Sequence, residues 1–297
     1  MFFGLPNGLQ LDDLLERLRY LSWGAAEILL AYEDGSQPPY GFSKSLEILE
    51  QPDGPVTAAD LSVNDWLVNG LKKYFENINW QIFSEESVKN KPFEKSKNLS
   101  EWIWILDPLD GTKDFLSGSG DYAVHLCLLR RNSPFLGVVL IPKREEMWIG
   151  IEGIGSWREN KSGKKIDFSF SSRRNCENLI LVSSRNHRNE KLDYLVDNLS
   201  LGGSMKVGSV GCKIASILKG EADIYISLSG KTSPKDWDMA APEAVLKFAG
   251  GSFSHEDISP LNYDKDDFLQ SGCIVASHGY SHKTICTKVN YLLNKYK

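Results

Sequence analysis

"WIWILDPLDGTKDF" spans residues 102–115. Five apolar residues, Trp102 to Leu106, lead into Asp107, Pro108, Leu109 and Asp110, then Gly111 and Thr112. The apolar run predicts a buried strand. Pro108 fixes its own backbone angle and helps turn the chain off that strand. Two carboxylates on such a turn can face one point, where, without a cation, they repel and one tends to protonate. A divalent cation with a preference for oxygen removes the conflict. Gly111 lets an anion approach the backbone, Thr112 adds a hydroxyl, and a helix starting here offers free N–H groups to a phosphate. The plainer reading is that both aspartates cap turns and a helix, and a lone Asp-x-x-Asp does not choose between the two.

More acids stand at similar places. Glu85 and Glu86 close the strand read from "WQIFSEES" (80–87). Asp60 lies near the start of a helix read from "GPVTAADLSVNDWLVNGLKKYF" (54–75), with Thr57 as its cap. Asp238 follows Trp237 at the start of "DWDMAAPEAVLKFAGG" (236–251). Each alone is a solvated carboxylate or a cap. Together they outline a site where about two or three Mg²⁺ ions hold phosphoryl oxygens and activate water.

Bulk properties narrow the class. The chain has 297 residues, 41% hydrophobic and 25% charged, the composition of an ordinary globular protein with a sizeable core. A formal net charge of −5 argues against a nucleic-acid polymer as partner and leaves a small phosphorylated molecule open. The five cysteines are odd in number and scattered, which predicts a reduced protein without a disulfide framework or zinc site. The N-terminal stretch lacks the pattern of a signal peptide, and no run reaches the ~18 apolar residues of a membrane span. The expectation is a cytoplasmic protein with no membrane contact, either a monomer or a homodimer.

Along the chain, Leu11, Leu14, Leu15, Leu18 and Leu21 share one helical face. Residues 121–157 read as a mainly antiparallel meander of strands. The polar stretch around residue 170 marks a boundary between a metal-binding half, 1–170, and a substrate-binding half, 171–297, in which strands and helices alternate. The fold class is α+β.

At this point the residues carry a resemblance. "DPLDGTKDF" and "WDMAAPEAVLKFAGG" are similar to the two signatures of the inositol monophosphatase superfamily of Mg²⁺-dependent, lithium-sensitive phosphatases. "FSEES" resembles its acidic element, with Ser84 where glycine is frequent, and "GPVTAAD" resembles a further element. The resemblance implies a layered αβαβα sandwich, with a mainly antiparallel sheet in the N-terminal half and an α/β C-terminal half. Within the superfamily, "SSRNH" (183–187), with Asn186 in place of the usual serine, and "KVGSVGCK" (206–213) resemble the 3′(2′),5′-bisphosphate nucleotidases. Lys113 and the Ala-Pro of "WDMAAPE" point the same way.

The resemblance implies roles. Glu85, Asp107, Asp110, Asp238 and the Leu109 carbonyl are implied metal ligands. Asp60 and Thr112 are implied to activate the attacking water, and Glu86 to orient it or to serve an outer shell around the metal. Gly111, Thr112, Ser184, His187, Ser209, Lys213 and Asp238 are implied contacts to substrate. Arg185 reads as a surface charge, and Lys231 and Lys235 as flanking a loop. His278 and His282 have the i, i+4 spacing of metal ligands, but no strong helix signal surrounds them and they are not read as a zinc site. The implied reaction is removal of the 3′-phosphate from adenosine 3′,5′-bisphosphate, with 3′-phosphoadenylyl sulfate as a second substrate and a place in sulfur assimilation. The rivals are an inositol monophosphatase, a fructose-bisphosphatase-like enzyme, and a binding protein that has kept the fold and lost catalysis.

Overall fold

The computed structural model describes residues 5–51, 54–89, 100–185, 190–229, 233–263, 265 and 267–296. Helix α1 (Leu11–Asp34) follows the leucine pattern: it buries Leu14, Leu15, Leu18 and Leu21, carries Asp12 and Asp13 at its positive end, and stops at the left-handed Gly35. Strands β1 (Ile48–Gln51) and β2 (Gly54–Thr57) form a hairpin. The hairpin takes up residues 54–57 of the stretch read as helix, and α2 (Ala58–Tyr74) starts directly behind Thr57, the cap expected from the sequence. Thr57 sets that boundary through a capping box: its hydroxyl accepts from the Ala59 and Asp60 N–H groups, and Asp60 accepts from the Thr57 N–H. After β3 (Gln81–Ser84), Glu85 and Glu86 open the short helix α3 (Glu85–Lys89) instead of closing the strand.

Strand β4 (Trp102–Asp110) runs through the whole apolar stretch and its two aspartates, and α4 (Thr112–Leu116) follows Gly111. Strands β5 (Ala123–Arg130), β6 (Ser133–Ile141), β7 (Glu146–Ile151), β8 (Gly155–Glu159) and β9 (Lys165–Ile166) complete a seven-stranded sheet in chain order, antiparallel except for the β3–β4 pair. The second sheet has five strands. Its elements are β10 (Ile180–Ser184), α5 (Glu190–Asn198), β11 (Gly203–Val207), α6 (Val210–Leu218), β12 (Ile224–Leu228), α7 (Asp236–Phe248), β13 (Ser252–His255), β14 (Cys273–Ser277) and α8 (His282–Lys295). The strand order is β11-β10-β12-β14-β13, with β10 parallel to β11 and β12, and β14 antiparallel to its neighbours.

Strand alternation builds the layers. On β4, Trp104 and Leu106 join the core with α1 and α2, while Ile103 and Ile105 join a second core with α6 and α7. A third core places Leu181, Ile224 and Val275 against Leu195 of α5 and Val289 of α8. The order of layers is α1/α2, seven-stranded sheet, α6/α7, five-stranded sheet, α5/α8, an αβαβα sandwich. The small residues of "DMAAPEA" bring α7 hard against the first sheet: a Cβ on Gly137 of β6 would meet the Ala244 Cβ at 2.6 Å and the Ala241 carbonyl at 2.8 Å. The five cysteines are free. No described helix is long and apolar enough to cross a membrane.

Candidate active site

Residues three apart on a regular strand point to opposite faces. Asp107 and Asp110 do not, because the ladder slips between them: Asp107 pairs with His125 and Asp110 with Ala123, three steps on β4 against two on β5. That bulge returns both carboxylates to one side. The Leu109 N–H donates to Asp107 Oδ1 at 3.0 Å and steadies the bulge. Gly111 has φ 96° and leads into α4, a conformation glycine adopts without strain.

Asp238 is the third residue of α7 and accepts from the Lys235 N–H at 2.7 Å. One carboxylate oxygen from each of Asp107, Asp110 and Asp238 lies within 4.8 Å of the others. Burial, then the charges of Glu85, Asp110 and Asp238, hold the Asp107 carboxyl well above the usual range. Burial, then Asp110 and Glu85, push Asp238 up to about 8. Three carboxyls at such spacing favour protons or a cation. Beside them, burial and then the Glu85 charge push Glu86 up to about 7. Lys89 reaches Glu85 at 2.7 Å and Glu86 at 3.7 Å, an ammonium neighbour that the sequence reading does not contain. Asp110 Oδ2 accepts from the Ser209 hydroxyl at 2.6 Å and from the N–H groups of Val210 and Gly211 at the start of α6.

Asp60 and Thr112 come from elements 52 residues apart and meet: Thr112 Oγ1 lies 3.2 Å from Asp60 Oδ1 and 3.3 Å from the Leu109 carbonyl. Asp60 is also a cap, since Thr57 donates its N–H at 2.8 Å and its hydroxyl at 2.6 Å to Oδ2. Burial pushes Asp60 up to about 6 against the pull of these Thr57 bonds. Capping fixes one oxygen and leaves the other toward Thr112, so the structural and the chemical readings coexist in one side chain.

Asp60, Glu85, Glu86, Asp107, Leu109, Asp110, Gly111, Thr112, Ser184, Ser209, Lys213 and Asp238 all line one cleft of about 420 Å³. That size suits a small-molecule site. The Lys213 ammonium donates to the Ser209 carbonyl at 3.0 Å and lies 5.4 Å from the Tyr225 ring centre, and burial lowers its pKa. Lys235 lines the same cleft. His187, Asn186 and Lys231 lie outside the described residues.

Two features go beyond the sequence. Arg185 is exposed, as expected of a surface charge, and is also paired with Asp114 and Asp121. His282 opens a helix, α8, that the sequence reading lacks; its ring nitrogens meet the Ser277 and Ser254 hydroxyls at 3.0 and 2.8 Å. His278 faces the Arg173 carbonyl at 3.0 Å, so these two histidines serve separate packing contacts. Tyr225 and His125 also border the site unforeseen. The buried His125 ring sits 3.3 Å from the Trp237 carbonyl and 3.4 Å from Asp110.

The profile of the inositol monophosphatase family matches residues 10–293. A 3′(2′),5′-bisphosphate nucleotidase CysQ of Salmonella typhimurium is 29% identical over 260 residues, covering 87% of this chain and 98% of the relative. The nucleotidase of the same name from Buchnera aphidicola is 32% identical over 237 residues, 78% of this chain and 84% of that protein. Among solved structures, a Thermotoga maritima inositol monophosphatase superposes with a TM-score of 0.75 at 20% identity, over 95% of this chain and 99% of that one. That last likeness is one of fold.

Proposed function

We propose, from the premise that the chain belongs to the inositol monophosphatase family, that this phosphatase removes the 3′-phosphate of adenosine 3′,5′-bisphosphate. The products are AMP and inorganic phosphate, and 3′-phosphoadenylyl sulfate is a second substrate. The nucleotidase relatives, which match most of the chain, support the choice of substrate. The observation that carries the reading is the cleft itself: the Asp107, Asp110 and Asp238 oxygens gather within 4.8 Å on one side, and Lys213 and Tyr225 line the same space.

The donor set fits Mg²⁺, because it is all oxygen and because burial, with the neighbouring acids, pushes the Asp107 and Asp238 carboxyls up. Glu85, Asp107, Asp110, Asp238 and the Leu109 carbonyl would hold it. Bound there, Mg²⁺ supplies the positive charge that lets the carboxylates ionise together and offsets the charge of a phosphate ester. Thr112 orients the attacking water with its hydroxyl, and Asp60 takes up the proton through that hydroxyl. A carboxyl near 6 is ionised at neutral pH and still basic enough for the task. Glu86 supports the same water from its buried place beside Glu85. Gly111, Ser184 and Ser209 contact the substrate, and Lys213 and His187 meet its second phosphate.

The test is phosphate release with Mg²⁺ from adenosine 3′,5′-bisphosphate, 3′-phosphoadenylyl sulfate, inositol 1-phosphate and fructose 1,6-bisphosphate. The expected order puts the two nucleotides first in kcat/KM. A preference for inositol 1-phosphate would overturn the substrate and leave the phosphatase standing. Li⁺ is expected to inhibit at concentrations where Na⁺ and K⁺ do not.

A further inference from the structure

We propose that Arg185 is a positioning residue that fixes the substrate wall of the cleft against helix α4, an inference that rests on the nucleotide reading above. Arg185 directly follows β10, whose last residue Ser184 lines the cleft. Its guanidinium bridges two carboxylates from the other half of the chain: Nη1 donates to Asp114 Oδ1 and Nη2 to Asp121 Oδ2 at 2.6 Å. Asp114 lies in α4, two residues past Thr112. Asp121 stands just before β5. Neither belongs to the acidic cluster.

Both carboxylates are held independently. The Ser119 hydroxyl donates to Asp114 Oδ1 at 3.0 Å, and Arg144 donates to Asp121 Oδ1 at 2.6 Å. Asp121 Oδ2 also accepts from the Gly208 N–H at 3.3 Å. Gly208 is pressed onto the pair so closely that a Cβ there would lie 2.3 Å from the Asp114 carboxyl carbon. The next residue, Ser209, has φ 37°, a conformation costly for any residue but glycine. It donates to Asp110 from that position at 2.6 Å and starts the helix that carries Lys213.

One guanidinium therefore joins three pieces: α4 with Thr112, the end of β10 with Ser184, and the turn that sets Ser209 and Lys213. The planar fork suits this task because its two ends can bond two carboxylates at once, whereas an ammonium is a single point of charge. Losing the clasp frees the β10 end with Ser184 to drift from α4, while Asp121 keeps Arg144 and Gly208, and the Ser209 turn keeps its bonds to Asp110.

The experiment measures kcat and KM of the full chain and of Arg185→Met and Arg185→Lys, at saturating Mg²⁺. The substrates are adenosine 3′,5′-bisphosphate and p-nitrophenyl phosphate, which has no nucleoside to place. Misplacement by an ångström costs on the order of a hundredfold, so Arg185→Met should lose roughly ten- to hundredfold in kcat/KM on the bisphosphate and under about threefold on p-nitrophenyl phosphate. Arg185→Lys should fall between that variant and the wild type, and decides the matter alone if the methionine variant does not fold. A lowered Tm with unchanged constants on both substrates would reduce Arg185 to a structural ion pair. Equal losses on both would assign it to support of the acidic cluster and overturn the proposal. A wild-type enzyme that hydrolyses p-nitrophenyl phosphate but not the bisphosphate removes the substrate reading, a failure visible before any variant is made.

Discussion

Asp107 is 1% exposed, and burial together with three neighbouring carboxylates holds its proton on in the absence of a cation. Asparagine has nearly the same size and keeps the oxygen that accepts the Leu109 N–H at 3.0 Å, so Asp107→Asn removes charge and little else. Two opposite effects are expected. Turnover with Mg²⁺ should fall by roughly a thousandfold or more, since metal-derived charge stabilisation is worth several kcal/mol and each 1.36 kcal/mol is tenfold. The metal-free variant should melt no lower than the wild type, and about 2–4 °C higher for each kcal/mol that keeping the proton on buried Asp107 costs at neutral pH. Phosphate release and calorimetry check the two halves, and near-wild-type turnover at saturating Mg²⁺ would strip Asp107 of its role. Thr112 shows the same economy at lower stakes: one hydroxyl lies within 3.3 Å of both a proton acceptor and a candidate ligand carbonyl.

Helix α7 delivers Asp238, and the depth at which it lies is set by glycine on β6 and alanine on the helix. Gly137→Ala would place a methyl 2.6 Å from the Ala244 Cβ, and one of the two elements must move. Overpacking of this kind costs about 1–3 kcal/mol. A helix that shifts carries Asp238 away from Asp107 and Asp110, so the Mg²⁺ concentration for half-maximal activity should rise severalfold, with KM for substrate at saturating Mg²⁺ changed less. An unchanged Mg²⁺ titration in a destabilised variant would show that α7 yields without moving its first turn. These elements were also where the sequence spoke most clearly. The run before Asp107 and the Ala-Ala-Pro of α7 are local patterns with local causes. So are the acids and hydroxyls of the cleft, which fall at strand ends and helix starts. Pro108, by contrast, does not turn the chain off the strand: β4 runs on to Asp110, and a bulge brings the two carboxylates together. Two kinds of feature stayed hidden. Boundaries moved where short elements meet, as Glu85 and Glu86 open α3 rather than close β3. Helix α8 was missed because it buries only His282, Ile285, Cys286 and Val289 among polar neighbours. The place of Lys89 and Tyr225 in the cleft and the partners of Arg185 were not legible. Arg185 finds Asp114 and Asp121 across 71 and 64 residues, and no spacing rule reaches that far.

At the scale of the whole molecule the acidic cluster ties stability to pH and to metal. Without a cation, Glu86 is pushed up to about 7 and Asp238 to about 8, and Asp107 stands well above its ordinary value, each mainly by burial. The unfolded chain titrates the same groups near 4. Between those limits the folded protein binds more protons than the unfolded one, so stability falls as pH rises. The contribution is fully present below the unfolded pKa and is lost through the folded values. Other groups confine the useful window. His125, His278 and His282 are buried with lowered pKa values, so their contribution grows with pH only up to the ordinary histidine range. Buried thiols such as Cys212, pushed up to about 12, lower stability only where unfolded cysteine ionises, near 8.5 and above. Between pH 7 and 8 Glu86, Asp238 and Asp107 set the downward slope, and the buried Lys213, whose pKa is lowered, acts in the opposite sense. The Tm of protein in a chelator should drop across that unit, by an amount corresponding to the order of 1–3 kcal/mol. Mg²⁺ needs the same carboxylates ionised, so its stabilisation, which grows as RT ln(1 + [Mg²⁺]/Kd), should be larger at pH 8 than at pH 7. Asp107→Asn should shrink both effects together, because one side chain feeds both. Calorimetry at the two pH values, with chelator and with Mg²⁺, reads all of this directly. A chelated protein that grows more stable from pH 7 to 8, or a Mg²⁺ increment that ignores pH, would mean that the carboxyls of the cleft do not share protons and metal as their geometry requires.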